Sequence, residues 1–175
     1  MTPLAVAAVT TGTVGETLLW GGIALVFTAL VPYGVIWTGV RLGRLSDHHV
    51  GVREQRRLPF TVALASVLVG VGVLTWLQAP PAVVAMVAVM FTVLGAVTLM
   101  NLVWKASGHA AVSAGSAAVL TGIVGAPMLP AWIVVAAVCW SRVRLGDHTT
   151  AQVVVGAVAG APIGAVTYAV TLNLV

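Results

Sequence analysis

The sequence predicts an all-α integral membrane protein, a bundle of six transmembrane helices in a single domain covering residues 1–175. The composition is 60% hydrophobic and only 7% charged, and the mean hydropathy is +1.10. Apolar runs of about twenty residues recur along the chain, which is the length a helix needs to cross a hydrocarbon core of about 30 Å. The ionisable residues lie between these runs. Together these features exclude an ordinary soluble domain.

Six apolar segments are the predicted spans. They are residues 18–40, 59–77, 82–103, 109–125, 131–142 and 148–172. The first contains Pro32, which a membrane helix tolerates when neighbouring groups satisfy the freed backbone. The second begins at Pro59, a residue that suits the first helical turn. The third ends beside Trp104 and Lys105, an aromatic residue and a cation typical of the membrane interface.

The last three spans carry the features expected around a polar site. The fourth and fifth are short for a bilayer, so we expect their polar ends to be recessed and open to an aqueous cleft. The sixth contains Gly156, Gly160 and Gly164 at intervals of four. Small residues at this spacing predict close packing against a neighbouring helix.

Charge is sorted onto alternate loops. All eight Lys and Arg, all four His and three of the four acids lie in the first, third and fifth loops, with Glu16 as the exception. With six spans, these odd-numbered loops share one side of the membrane. By the positive-inside rule we expect that side to be cytoplasmic. No positively charged stretch precedes the first apolar residues, so we expect no cleavable signal peptide.

Two polar clusters interrupt the apolar second half. The first reads Lys-Ala-Ser-Gly-His from Lys105 to His109, and the second runs from Ser141 to Gly156. They resemble the middle and last motifs of the type 2 phosphatidic acid phosphatase superfamily, whose membrane branch removes phosphate from lipid phosphates. The middle motif matches at Ser-Gly-His, with Ala106 where the family usually has proline. The last motif matches at every spacing, with Gln152 where the family usually has aspartate.

The first motif of that family is at best degenerate here. It is normally a lysine followed after six residues by Arg-Pro, and the chain offers Arg53-Glu54-Gln55-Arg56-Arg57-Leu58-Pro59. Arg53 and Arg57 are the preferred substitutes, without a fixed register. The alternative is that these arginines form only a solvated basic loop.

The resemblance implies a metal-independent phosphoryl transfer through a phosphohistidine. His148 would be the nucleophile and His109 would protonate the leaving lipid oxygen, then activate water. Imidazole suits both roles because its unperturbed pKa lies near neutrality. Arg142 would grip the phosphate with its planar fork, and Ser107 and the Gly108 amide would add donors.

Other polar residues near these motifs have weaker assignments. Lys105 is a candidate phosphate ligand or a plain headgroup contact, and Arg144 fits the headgroup contact better. Gln152 lies four residues after His148, so on a helix it would orient the imidazole without adding charge. Asp147 carries a charge, but adjacent helical positions do not face each other.

The predicted function is hydrolysis of a membrane lipid phosphate, either a polyprenyl or a glycerolipid monophosphate or diphosphate. The alternative is a non-catalytic member that binds a lipid headgroup, or a transporter-like bundle. Haem binding is disfavoured because the histidines lie at helix mouths. A metal at Asp47, His48 and His49 is also disfavoured, so no cofactor or metal is expected.

The expected partners are the bilayer and its lipid phosphates. Nucleic acid is not among them, because the net charge of +4 comes from few cations placed between spans. The single cysteine, Cys139, excludes an internal disulfide. Substrate chain length and oligomeric state stay open, and the expected location is the cell membrane, with several passes.

Overall fold

A computed structural model describes residues 2–45 and 57–174, and the regular structure in these two ranges is helical. The α-helices of the described ranges are α1 (Thr2–Thr10), α2 (Val14–Leu25), α3 (Val31–Arg41), α4 (Arg57–Trp76), α5 (Pro81–Val103), α6 (Gly108–Val124), α7 (Ala131–Arg144) and α8 (Thr150–Leu172). The all-α prediction is confirmed. The chain forms two compact units, Met1–Val87 and Ala88–Val175.

The first unit begins with α1, a helix that the sequence pattern does not predict. α1 packs against α2, and the approach is close at Gly21, where a Cβ would lie 3.1 Å from the Leu4 Cα. α2 starts at an N-cap threonine: the Thr13 hydroxyl accepts the Glu16 N–H at 3.2 Å. The Glu16 carboxylate accepts the N–H of Gly12, the residue before the N-cap, at 3.2 Å. Glu16, the acid outside the odd loops, is therefore a helix-capping residue.

The first predicted span is one helical segment, Val14–Arg41, with a π-helical turn at Val26–Leu30 inside it. The turn lies just before Pro32, which cannot donate a backbone hydrogen bond. Ser66 of α4 donates its hydroxyl proton to the Phe27 carbonyl at 2.8 Å. Gly70 lets α4 approach here, because a Cβ would lie 2.7 Å from the Phe27 Cβ. A neighbouring helix thus satisfies the irregular backbone, as membrane helices require.

The second unit is built on α6 and α8, which pack more extensively against each other than α6 does against α7. Gly160 and Gly164 of α8 face the α6 backbone. A Cβ at Gly160 would collide with the Ala111 carbonyl, and one at Gly164 would lie 2.7 Å from the Gly115 Cα. The prediction that these glycines serve close packing is confirmed. Thr92 of α5 also shares a hydrogen bond of 2.9 Å with Thr167 of α8.

Within residues 2–45 and 57–174, five helical segments are long and apolar enough to cross a membrane. They are Val14–Arg41, Leu58–Trp76, Pro81–Val103, Ala126–Arg144 and Thr150–Leu172. α6 is also apolar but has 17 residues, about 25 Å of helix, which is short for a hydrocarbon core of about 30 Å. Large apolar side chains such as Ile133 and Val158 are exposed on the second unit. These long apolar helices indicate a membrane protein.

Candidate functional site

A main-chain hydrogen bond connects the N-terminal end of α6 to the first turn of α8. Ser107 is the fully buried N-cap of α6, and its hydroxyl accepts the Ala110 N–H at 3.4 Å. Its own N–H donates to the Gln152 carbonyl at 3.2 Å. Gly156 makes this approach possible, because a Cβ there would lie 2.6 Å from the Ser107 carbonyl oxygen. The two recognisable motifs, 45 residues apart at Ser107 and Gln152, therefore meet (152 − 107).

Asn101 supports the turn that leads into Ser107. Its side-chain amide donates to the Val97 carbonyl at 2.8 Å and to the Ala106 carbonyl at 3.4 Å. Ala106 is buried, so its carbonyl needs such a donor. This amide holds the connection at the place where the resembled family usually has a rigid proline.

The loop between α7 and α8 folds back on Arg142. The Arg142 carbonyl accepts the N–H groups of Asp147 at 3.1 Å and His148 at 3.2 Å. Gly146 makes the reversal with φ of +72°, a left-handed conformation that glycine adopts without strain. The two residues after the turn are thereby held beside the end of α7.

Residue 147 engages both nearby candidate phosphate ligands. The Arg142 guanidinium donates to the Asp147 carboxylate, with Nη1 and Oδ2 3.2 Å apart. Lys105 donates from Nζ to the Asp147 carbonyl oxygen at 2.6 Å. Lys105 precedes α6 and Arg142 lies in the last turn of α7, so Asp147 joins the two cationic segments.

Gln152 has two roles, and together they fix the orientation of the His148 ring. Thr149 and Gln152 form a capping box at the start of α8, in which the Gln152 Oε1 accepts the Thr149 N–H at 3.1 Å. A backbone N–H can only donate, so the Gln152 atom at this position must be the oxygen. The same oxygen lies 3.2 Å from His148 Nδ1, which must therefore donate. In the neutral ring the lone pair is then on Nε2.

The other predicted residues of the middle motif lie in the first turn of α6. Gly108 is its first residue and His109, which is exposed, its second. N–H groups in the first turn of a helix have no acceptor within the helix, and the helix dipole favours an anion there. His148 is half-buried in the loop before α8. The start of α6 at Gly108 thus lies beside the segment that carries Arg142 and His148.

Neither of the two arginines predicted to replace the first motif has a described side chain. Arg53 lies outside the described residues, as do Asp47, His48 and His49. Arg57 is the first residue of α4 in the first unit, and only its backbone is described. Within residues 2–45 and 57–174, no three His, Cys, Asp or Glu side chains form a cluster that could hold a metal ion.

Three residues that shape the site were missed or only partly understood from sequence. Helical spacing makes Asp147 only an imperfect partner for His148, whereas the structure pairs it with Arg142. Asn101 carries no sequence signal, because its role depends on a turn that only the fold shows. Thr149 does carry one: a threonine three residues before a glutamine is the capping-box pattern. That pattern correctly places the start of α8 at Thr150, two residues after the predicted start of the span.

Comparison of the chain with protein-family models, with curated proteins and with solved structures finds no match. The resemblance in the two motifs therefore stays a prediction carried by the residues themselves.

Proposed function

We propose that this chain is a multi-pass membrane phosphatase of the type 2 phosphatidic acid phosphatase kind, acting on a lipid phosphate at the junction of α6, α7 and α8. The observation that carries the proposal is the contact between the two motif segments. Ser107 bonds to Gln152, and Lys105 and Arg142 both bond to Asp147. Such contacts are expected if both motif segments belong to one phosphatase site. A chance agreement in sequence spacing would not require them.

The first half of the proposed reaction transfers phosphate to His148. Nε2 attacks phosphorus in line, and the bond from phosphorus to the lipid oxygen breaks. His109 gives a proton to that oxygen, so a lipid alcohol leaves. With a lipid diphosphate, attack on the terminal phosphorus breaks its bond to the bridging oxygen, and the leaving group is the lipid monophosphate. Arg142, Lys105 and the Gly108 N–H stabilise the charge on the equatorial oxygens. The Gln152 oxygen holds the Nδ1 proton and so keeps Nε2 as the nucleophile.

The second half returns the enzyme to its starting state. Water attacks phosphorus as His109 takes its proton, the bond from phosphorus to Nε2 breaks, and inorganic phosphate leaves. A covalent intermediate splits one difficult step into two easier ones. Gln152 brings no charge to stabilise the imidazolium-like intermediate, so we expect slower turnover than an aspartate at this position would give.

The proposal includes six spans, with α6 as the fourth. The loop before α6 contacts the loop after α7, so the two loops lie on the same side. That parity is expected if α6 crosses the membrane in one direction and α7 in the other. A helix of about 25 Å would leave its polar first turn slightly recessed, which suits a site reached by a lipid headgroup. Because all Lys and Arg lie in the odd-numbered loops, we propose that this side faces the cytoplasm and that the protein lies in the cell membrane.

A second candidate function is the binding of a lipid headgroup without hydrolysis, including by a transporter-like protein. Gln152 favours it, because the position that the resembled phosphatases fill with a carboxylate is uncharged here. The same cations and helix N-terminus would then bind phosphate without turnover.

The experiment is phosphate release from polyprenyl and glycerolipid phosphates by detergent-purified protein in the presence of a metal chelator. We expect release by the wild type and none by His148→Ala or His109→Ala that remain folded. His48→Ala and His49→Ala are matched histidine controls outside the two motifs and should retain activity. Normal release by a folded His148→Ala protein would refute the mechanism, and phosphate binding without release would favour the second candidate.

A further inference from the structure

Asp147 belongs to none of the motif positions, yet it lies at the centre of the polar contacts. We propose that its carboxylate is an internal anion that occupies Arg142 in the empty site and is displaced by the incoming phosphate. Its charge then weakens phosphate binding and speeds release of the product phosphate. This inference rests on the proposed phosphate site.

The contacts show how the residue can hold one cation loosely and the other firmly. Arg142 is bound through the side chain of Asp147, by one contact of 3.2 Å. Lys105 is bound through the main-chain carbonyl, at 2.6 Å. The main-chain contact does not depend on the carboxylate, so Lys105 stays in place when the side chain moves or is replaced by a neutral one.

The Arg142–Asp147 ion pair is weak enough for a phosphate to displace the carboxylate from Arg142. The two side chains are 17% and 33% exposed, so water screens their attraction, and such pairs contribute up to about 1 kcal/mol. A phosphate can accept two parallel N–H bonds from a guanidinium, which is a stronger arrangement than this single contact. The guanidinium also has donors that the Asp147 contact does not use.

Once phosphate is bound, the carboxylate becomes a nearby like charge. Like charges close together raise the free energy of the complex, although screening limits the effect near a surface. An orienting role for Asp147 makes the opposite prediction, because Arg142 would then bind phosphate less well without it. The direction of the change in affinity therefore separates the two roles.

The test is calorimetric binding of inorganic phosphate to the full chain in detergent, at low and high ionic strength. Asp147→Asn removes the charge but keeps the shape, and it should bind phosphate about three- to fivefold more tightly. Asp147→Glu keeps the charge and should stay near the wild type. Glu16→Gln removes one negative charge at the start of α2 and should leave the affinity unchanged. The gain in Asp147→Asn should shrink at about 1 M salt, where the Debye length is about 3 Å.

The outcomes separate this inference from the function on which it rests. If the wild type binds no phosphate, the proposed site and the inference both fail. If the wild type binds phosphate but Asp147→Asn binds it equally or more weakly, only the inference fails. An equal gain in Asp147→Glu would also overturn it, because the carboxylate charge would then not be the cause.

Discussion

Replacement of Gly156 by alanine tests whether the packing of α8 against α6 builds the site. A Cβ at position 156 would lie 2.6 Å from the Ser107 carbonyl oxygen, whereas ordinary contact begins at 3.4 Å. Relief of the overlap needs a shift of about 0.8 Å (3.4 − 2.6) between the two backbones. The Ser107 N–H bond to the Gln152 carbonyl, now 3.2 Å, would lengthen to about 4.0 Å if the shift lies along it, which is no longer a hydrogen bond.

The expected effect of Gly156→Ala is larger on turnover than on stability. A misplacement of about 1 Å at a reacting site costs about 100-fold in rate. The overlap costs about 1–3 kcal/mol, but alanine regains about 1 kcal/mol of helix propensity. Phosphate release and thermal unfolding in detergent measure the two effects. Gly122→Ala on α6 is the matched control, since nothing lies within 4 Å of its Cβ and activity should be unchanged. Wild-type turnover in a folded Gly156→Ala protein would refute the reasoning.

Three further predictions concern packing, the nucleophile and topology. Gly160→Ala should lower the stability of the protein to thermal unfolding by about 1–3 kcal/mol, because its Cβ collides with rigid α6 backbone; an unchanged melting curve would contradict this. Gln152→Glu should move the acid limb of the pH–rate profile upward, because a carboxylate stabilises protonated His148, and an unmoved profile would disprove their coupling. Single cysteines at Ser46 and Thr2, in a chain whose native cysteine is replaced by alanine, should show protection at 46 and labelling at 2 by an impermeant reagent on intact cells; the reverse pattern would place the site outside.

The helices were predictable where hydrophobic length alone determines them. The predicted spans 59–77 and 82–103 correspond to α4 at Arg57–Trp76 and α5 at Pro81–Val103. α1 was not predicted, because nine mostly small, uncharged residues give no pattern that separates a short helix from a tail. The π-helical turn at Val26–Leu30 was also not predictable. The Phe27 carbonyl within it accepts a hydrogen bond from Ser66 of another helix, and this contact is known only from the fold.

The sequence predicted that the two motif segments would lie together, but it did not predict the hydrogen bonds between them. Sequence spacing selects His148 and Gln152 as partners, and the structure places the two side chains within 3.2 Å. The pairing of Asp147 with Arg142 was not foreseen, because it depends on the reversal at Gly146 rather than on helical periodicity. Long-range contacts such as that of Lys105 with the Asp147 carbonyl also have no sequence signature, since any residue supplies a carbonyl.

The proposed phosphohistidine is the most direct test of the whole account. His109→Ala protein, incubated with a lipid phosphate whose leaving group is activated, should accumulate phosphate on His148 because the water-activating group is missing. Rapid quenching at alkaline pH and mass spectrometry of the peptide that contains position 148 would measure it. The account predicts an acid-labile phosphate on His148 that is absent from the His109→Ala, His148→Ala double variant. Phosphate release by the His109→Ala protein with no modification at His148 at any quench time would contradict it.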